Sequence, residues 1–221
     1  MKNGFAIVLA WPETTCKQAG AWYDFPMKWL GINKRGYYKV GHAAIVLIDS
    51  ATQTPLYYDF GRYHSPKGKG RMRSVITDHE LNLTTKAKLD HNKGKILNLE
   101  SILRELYKNP STHGTGDIYG SICQIDYQKA HHFVNAMRDK GFLPYGPFVR
   151  KGTNCSRFVC SVIQESILSS RKKFGYRFPL TVTPTPMWNV LASGEKLTRI
   201  GTGLEEREFI PIQAERKTAI A

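Results

Sequence analysis

Cysteine is scarce in this chain. Cys16, Cys123, Cys155 and Cys160 are the four among 221 residues, and none forms a C-x-x-C pair. That density excludes a small disulfide scaffold, and reduced thiols are expected. Long apolar runs are absent too. None approaches the roughly 18–20 residues that cross a bilayer. The run from Phe5 to Trp11 has only Lys2 before it and no small-residue cleavage site after it, so it reads as a buried strand and not as a signal peptide. The cytoplasm is the expected compartment, with export by another route left open. Acidic residues are outnumbered, 18 against 32 basic, for a formal charge of +14. A field of that sign attracts nucleic acid, anionic lipid or acidic substrates without choosing among them. No dedicated nucleic-acid motif with interleaved aromatics is present. The basic clusters Lys67-Gly-Lys69-Gly-Arg71-Met-Arg73 and Arg171-Lys172-Lys173 read as a solvated surface or an anion-binding one. No internal repeat or disordered tract is evident, and the length suits one domain, residues 1–221, with a basic region at 62–98 as a candidate insertion.

The residues present suggest an α+β chain. After the strand near Phe5–Ala10, the Trp-, Tyr-, Pro- and Gly-rich stretch from Trp11 to Gly36 reads as a long packed loop. Tyr37–Ile48 and Pro55–Phe60 are β-rich runs separated by a turn, the pattern of an antiparallel hairpin. Glycine-punctuated Gly61–Gly70 is expected to be a mobile loop bordering a site. Further on, Leu99–Tyr107 reads as a helix and Ile118–Ile125 as a strand. Asp126 caps a helix over Tyr127–Lys140, and Thr153 or Asn154 caps another running through Ser169. Pro184-Thr-Pro186 leads into a short helix, and the charged tail after Glu205 is expected to be loosely held.

One constellation carries chemistry. Cys155 falls in the first turn of its helix, where unpaired N–H groups and the helix dipole favour a thiolate. The other three cysteines lack that help and suit buried packing. A thiol nucleophile needs a base, and His42, opening the apolar strand Gly41-His42-Ala43-Ala44-Ile45, is the best candidate; alone, it would read as a structural histidine. Asp59 on the returning strand runs back toward His42 and can orient it, the alternatives being a surface carboxylate or an ion pair with Arg62. An oxyanion would meet the Cys155 N–H and one unidentified donor. Tyr58, Tyr119 and Asn154 are the substrate-binding candidates. No metal site or cofactor is expected: Cys155 and Cys160 do not share a helix face, and adjacent His131 and His132 point apart.

Gly41-His42 at the head of an apolar strand, a carboxylate on the next strand, and Asn154-Cys155-Ser156-Arg157-Phe158-Val159 far downstream resemble the circularly permuted NlpC/p60-like, papain-like cysteine hydrolases. These include the YiiX/YaeF-like branch and its relatives in the lecithin retinol acyltransferase group. The resemblance covers residues 37–61 and 145–165, with a weaker likeness at Pro184-Thr-Pro186. It implies a permuted papain-like α+β fold with an antiparallel sheet packed against the nucleophile helix, and it makes Cys155, His42 and Asp59 nucleophile, base and orienter. Asp59 stands where the acyltransferases carry a second histidine, which favours the hydrolases. The implied activity is cleavage of an amide or ester through a thioacyl intermediate, on a peptide, a peptidoglycan fragment or an acyl lipid; an acyltransferase would differ only in the acceptor. The alternative is a non-catalytic module of the same fold that holds anionic ligands through its basic loops. Sequence does not determine oligomeric state.

Overall fold

A computed structural model describes residues 3–17, 33–34, 37–90, 92–177, 183–194 and 196–201. Most of the loop expected between Trp11 and Gly36, and the tail after Glu205, lie outside the described residues.

The fold is α+β. Its strands are β1 (Gly4–Trp11), β2 (Thr15–Lys17), β3 (Asn33–Lys34), β4 (Tyr37–Lys39), β5 (His42–Asp49), β6 (Pro55–Gly61), β7 (Lys69–Arg73), β8 (Leu89–Asp90), β9 (Lys95–Ile96), β10 (Ile118–Ile125), β11 (Leu143–Pro144) and β12 (Leu197–Ile200). The helices are α1 (Leu99–Lys108), α2 (Tyr127–Asp139), α3 (Cys155–Ser166), α4 (Ser170–Gly175) and α5 (Pro186–Ser193). Among the described residues, seven strands form one antiparallel sheet in the order β11-β7-β6-β5-β1-β10-β12.

β1 and β5 occupy the middle of this sheet, and their neighbours explain their composition. Every residue of β1 is buried, because both faces of the sheet are covered. On one face Ala6, Val8, Ala10, Ala43, Ile45, Leu47, Tyr58 and Phe60 meet α2, α3 and α5. The small residues Ala6, Ala10 and Ala43 let those helices approach closely. On the other face Ile7, Leu9, Trp11, Ala44, Val46 and Tyr57 meet Ile102, Leu103 and Leu106 of α1 together with Leu81, Leu83, Ala87 and Ile96. The sheet therefore lies between two apolar layers, and uninterrupted hydrophobicity in β1 and β5 follows from double coverage rather than from the alternation of a half-exposed strand.

The hairpin read at Tyr37–Ile48 and Pro55–Phe60 is present from His42 onward as β5–β6, with Ala44 opposite Asp59, whereas Tyr37–Lys39 forms β4, which pairs with β2 and β3 in a separate sheet. β10 has the expected bounds. The helix capped by Asp126 is also present, the Asp126 side chain accepting from the Lys129 N–H. The Cys155 helix ends at Ser166, short of Ser169, because the chain turns extended at Ile167, which bridges to Ile125.

The stretch after β6 departs from expectation. The loop expected over Gly61–Gly70 spans residues 62–68 between β6 and β7, while Gly61 and Gly70 lie in the flanking strands and Gly61, Phe60 and Asp59 pair with Arg71, Met72 and Arg73. Turn-like glycines had obscured a period-2 pattern: Gly70 and Met72 are buried on one face while the arginines alternate with them. The rest of the region supplies the second apolar layer, so residues 62–98 are integral to the fold.

Candidate active site

The start of β5 is fixed by its approach. Gly41 has φ +73°, a left-handed conformation suited to glycine, and a Cβ there would crowd the Trp11 carbonyl, Pro12 and Pro186 at 3.1–3.2 Å. Its N–H donates to the Thr14 carbonyl at 3.0 Å. His42 follows, opposite Trp11 in the sheet register and stacked on the indole with ring centroids 5.7 Å apart. Two strands are thus used to aim one imidazole.

Asp59 lies on β6, fully buried, and its Oδ2 is 3.2 Å from His42 Nε2. Cys155 opens α3, whose N-cap is Asn154; the Asn154 side chain accepts from the Arg157 N–H at 2.8 Å. His42 and the Ala43 N–H are the groups that favour the charged form of the Cys155 sulfur, whose Sγ lies 4.0 Å from Ser156 Oγ. With Nε2 directed at Asp59, Nδ1 is the nitrogen left for the thiol. Cys155, His42 and Asp59 are thus brought together, from the first turn of a helix and two adjacent strands.

Electrostatics separates this cysteine from the rest. Burial pushes up the thiols of Cys16, to about 11, and of Cys123 and Cys160, each to about 12. Burial acts on Cys155 in the same direction, yet its hydrogen bond to His42, the imidazolium charge and the Ala43 N–H overcome it, and the pKa lies below the ordinary thiol value. For His42, burial pulls the pKa down, but the bonds to Asp59 and Cys155 outweigh it and raise it to about 9. Burial would raise Asp59; bonding to His42 and the charge of Arg73 hold it at about 2. The three shifts run in one sense: the thiol is lowered, the imidazole raised and the carboxyl lowered, so each group favours the charged form of its neighbour.

A family model described as type VI secretion system effector TseH-like matches residues 6–172, three-quarters of the chain and a span that includes all three residues. The chain belongs to the TseH-like effector family. Among solved structures, a crystal structure of the type VI secretion system effector TseH is similar to it, with a TM-score of 0.57 over 90% of this chain and 93% of that one. At 19% identity that likeness is one of fold. No curated protein matches the sequence.

In this TseH-like chain the remaining candidates fall elsewhere. Tyr58 is 4% exposed in the core beneath the helical layer, with Tyr127 and Arg138 of α2 as its electrostatic neighbours. Tyr119, on β10, pairs with Ala10 of β1 and carries the Arg199 guanidinium over its ring. Asn154 is occupied as a helix cap. Asp59 pairs with Arg73, not with the Arg62 that sequence offered. The basic clusters are partly consumed inside the fold as well: Arg71 makes a two-pronged bond to Asp78, and Lys172 donates to the Ser193 carbonyl.

Sequence reasoning missed several neighbours of the site. Tyr57 donates to Asp59 Oδ2 at 3.0 Å, and Tyr63 does so at 3.3 Å while lying 3.5 Å from His42 Nε2. Tyr145 packs on Phe60 and is within electrostatic range of both Cys155 and Cys16. Tyr57 was detectable, since it is two residues from Asp59 on one strand and so shares its face. Tyr63 comes from a turn and Tyr145 from an isolated bridge to Thr153 just past β11, for which periodicity has nothing to say. Among the described residues no group of three or more His, Cys, Asp or Glu converges as metal ligands, and no helix is long and apolar enough to cross a membrane.

Proposed function

We propose that this effector-family protein is a cysteine hydrolase with a permuted papain-like site. Cys155 thiolate attacks an amide or ester carbonyl, His42 delivers a proton to the leaving group, and Asp59 holds the imidazole. A water deprotonated by His42 then releases the acyl group from sulfur. The Cys155 N–H at the start of α3 is the natural oxyanion donor. The chain order His42, Asp59, Cys155 is that of the permuted NlpC/p60-like enzymes. A peptide, a peptidoglycan fragment or an acyl lipid is the substrate class this chemistry suits.

The observation that carries the reading is selective: of the four cysteines, the one at a helix N-terminus is also the one whose thiol is lowered, with His42 as the main lowering influence. The non-catalytic alternative draws less support, because Arg71, Arg73 and Lys172 of the basic clusters serve internal partners.

The test is the pH dependence of iodoacetamide labelling at each cysteine, in wild type and His42→Ala. Cys155 should react well below the ordinary thiol pKa of about 8.5 and lose that reactivity in the variant. A Cys155 that behaves as an ordinary thiol in both proteins would sink the hydrolase reading.

A further inference from the structure

An orienting carboxylate needs to accept one hydrogen bond from its histidine, and Asp59 accepts far more. Its Oδ2 faces His42 Nε2 at 3.2 Å, Tyr57 Oη at 3.0 Å, Tyr63 Oη at 3.3 Å and Arg73 Nη2 at 2.6 Å, while Oδ1 takes Arg73 Nε at 3.0 Å. A carboxylate oxygen offers about two lone-pair directions, so these donors compete. The two-pronged guanidinium wins on distance and charge. Arg73 is the direct cross-strand partner of Asp59, and its own freedom is removed from other sides. Nη1 donates to the Ser111 carbonyl at 3.0 Å. Its Cζ lies 3.4 Å from the Tyr63 ring centroid, and that ring stacks on His113. Only 2% of Arg73 is exposed, and a cation so deeply buried is one whose removal must be felt by its partner.

We propose that Arg73 is a positioning residue of the site, fixing Asp59 in one rotamer and keeping it ionised, and holding Tyr63 over the His42–Asp59 pair. The inference rests on the hydrolase reading above. The groups facing Asp59 are His42 from β5, Tyr57 from its own strand, Tyr63 from the β6–β7 turn and Arg73 from β7. His113 lies beyond Tyr63, and Cys155 beyond His42. Of these, Arg73 carries positive charge at every working pH. Without it, His42 is left as the main group opposing burial, and Asp59 moves toward the protonated form. A neutral Asp59 no longer balances imidazolium at His42, and imidazolium is what stabilises the Cys155 thiolate. Arg73 therefore acts on the nucleophile through two intermediaries and touches no reacting atom.

The experiment follows Cys155 alkylation by iodoacetamide against pH in wild type, His42→Ala, Arg73→Lys and Arg73→Gln. Losing an adjacent cation raises a carboxyl pKa by about 1–3 pH units, so in R73Q the acid limb of Cys155 reactivity should move up by about one pH unit or more. In R73K, which keeps the charge but loses the fork, the limb should stay near that of wild type while the labelling rate falls. An R73Q limb that does not move overturns the inference, and a slowing equal at all pH values assigns Arg73 a purely structural role. His42→Ala separates the two readings: if it leaves the Cys155 limb unchanged, the hydrolase reading itself has failed, and the inference with it. Should R73Q not fold, carboxyl carbon NMR of Asp59 in the wild-type protein decides. Ionisation persisting to about pH 2 supports the role, whereas titration near the ordinary value of about 4 overturns it.

Discussion

His42 shows how much of a residue's behaviour is set by what surrounds it. Buried and alone, an imidazole would be neutral at physiological pH; between Asp59 and Cys155 it is raised to about 9 from an ordinary 6.5. The raised value has a definite sign in stability. His42 contributes stability fully below about 6.5, and that contribution is lost as pH rises through about 9. Asp59, depressed to about 2, contributes above its ordinary 3.8 and is lost as pH falls through about 2. The thermal midpoint of the wild-type protein should therefore decline between about pH 6.5 and 9 more steeply than that of His42→Gln, which lacks the titrating group. Parallel curves for the two proteins would show that the pair does not form. Removing one partner of the buried Arg73–Asp59 pair leaves an uncompensated charge, for which the cost is about 3–5 kcal/mol. Arg73→Gln should be unstable on that scale, to be read by chemical denaturation beside Arg73→Lys.

Elements do the aiming. The N-terminus of α3 is held by Asn154, and α5 braces it where Asn189 Nδ2 donates to the Ser156 carbonyl at 2.9 Å. Losing an N-cap costs about 1 kcal/mol, but here the first turn also carries Cys155. Asn154→Ala should thus lower Cys155 alkylation at neutral pH by more than the stability change alone predicts, while Asn154→Asp, which can cap equally well, should keep the fold intact. Equal labelling in wild type and Asn154→Ala would mean that the cap does not govern the thiol. The β5 entrance is the second aiming device. Gly41 permits a left-handed turn in contact with Trp11, Pro12 and Pro186, and His42 leaves that turn already stacked on Trp11.

At the scale of the molecule, the two apolar layers make the central sheet a shared core. The segment that looked like a basic insertion contributes Leu81, Leu83, Ala87 and Ile96 to the second layer, and Arg73 to the site. Removing residues 74–98 should consequently expose Leu9, Val46 and Tyr57 and abolish cooperative unfolding, as followed by circular dichroism and tryptophan fluorescence. A deletion variant with the wild-type transition would show the segment to be dispensable. The span matched by the TseH-like family model, residues 6–172, brackets this region.

By itself the sequence determined the elements with strong local signals and the residues able to do chemistry. The apolar runs at β1 and β5, the N-caps Asp126 and Asn154, and the single cysteine placed at a helix start are all local patterns, and local patterns are what periodicity and capping record. It also determined that Asp59 would return toward His42, because a short antiparallel hairpin leaves little choice of register. Tertiary structure alone decided the rest. That Tyr58 faces the helical layer while Tyr57 faces the site depends on which face of β6 each helix covers. Arg73 becomes the partner of Asp59 because β7 pairs with β6 in one register, across a turn whose glycines conceal the strand. Contacts between elements distant in sequence are selected by packing and desolvation, and neither quantity exists until the layers have assembled.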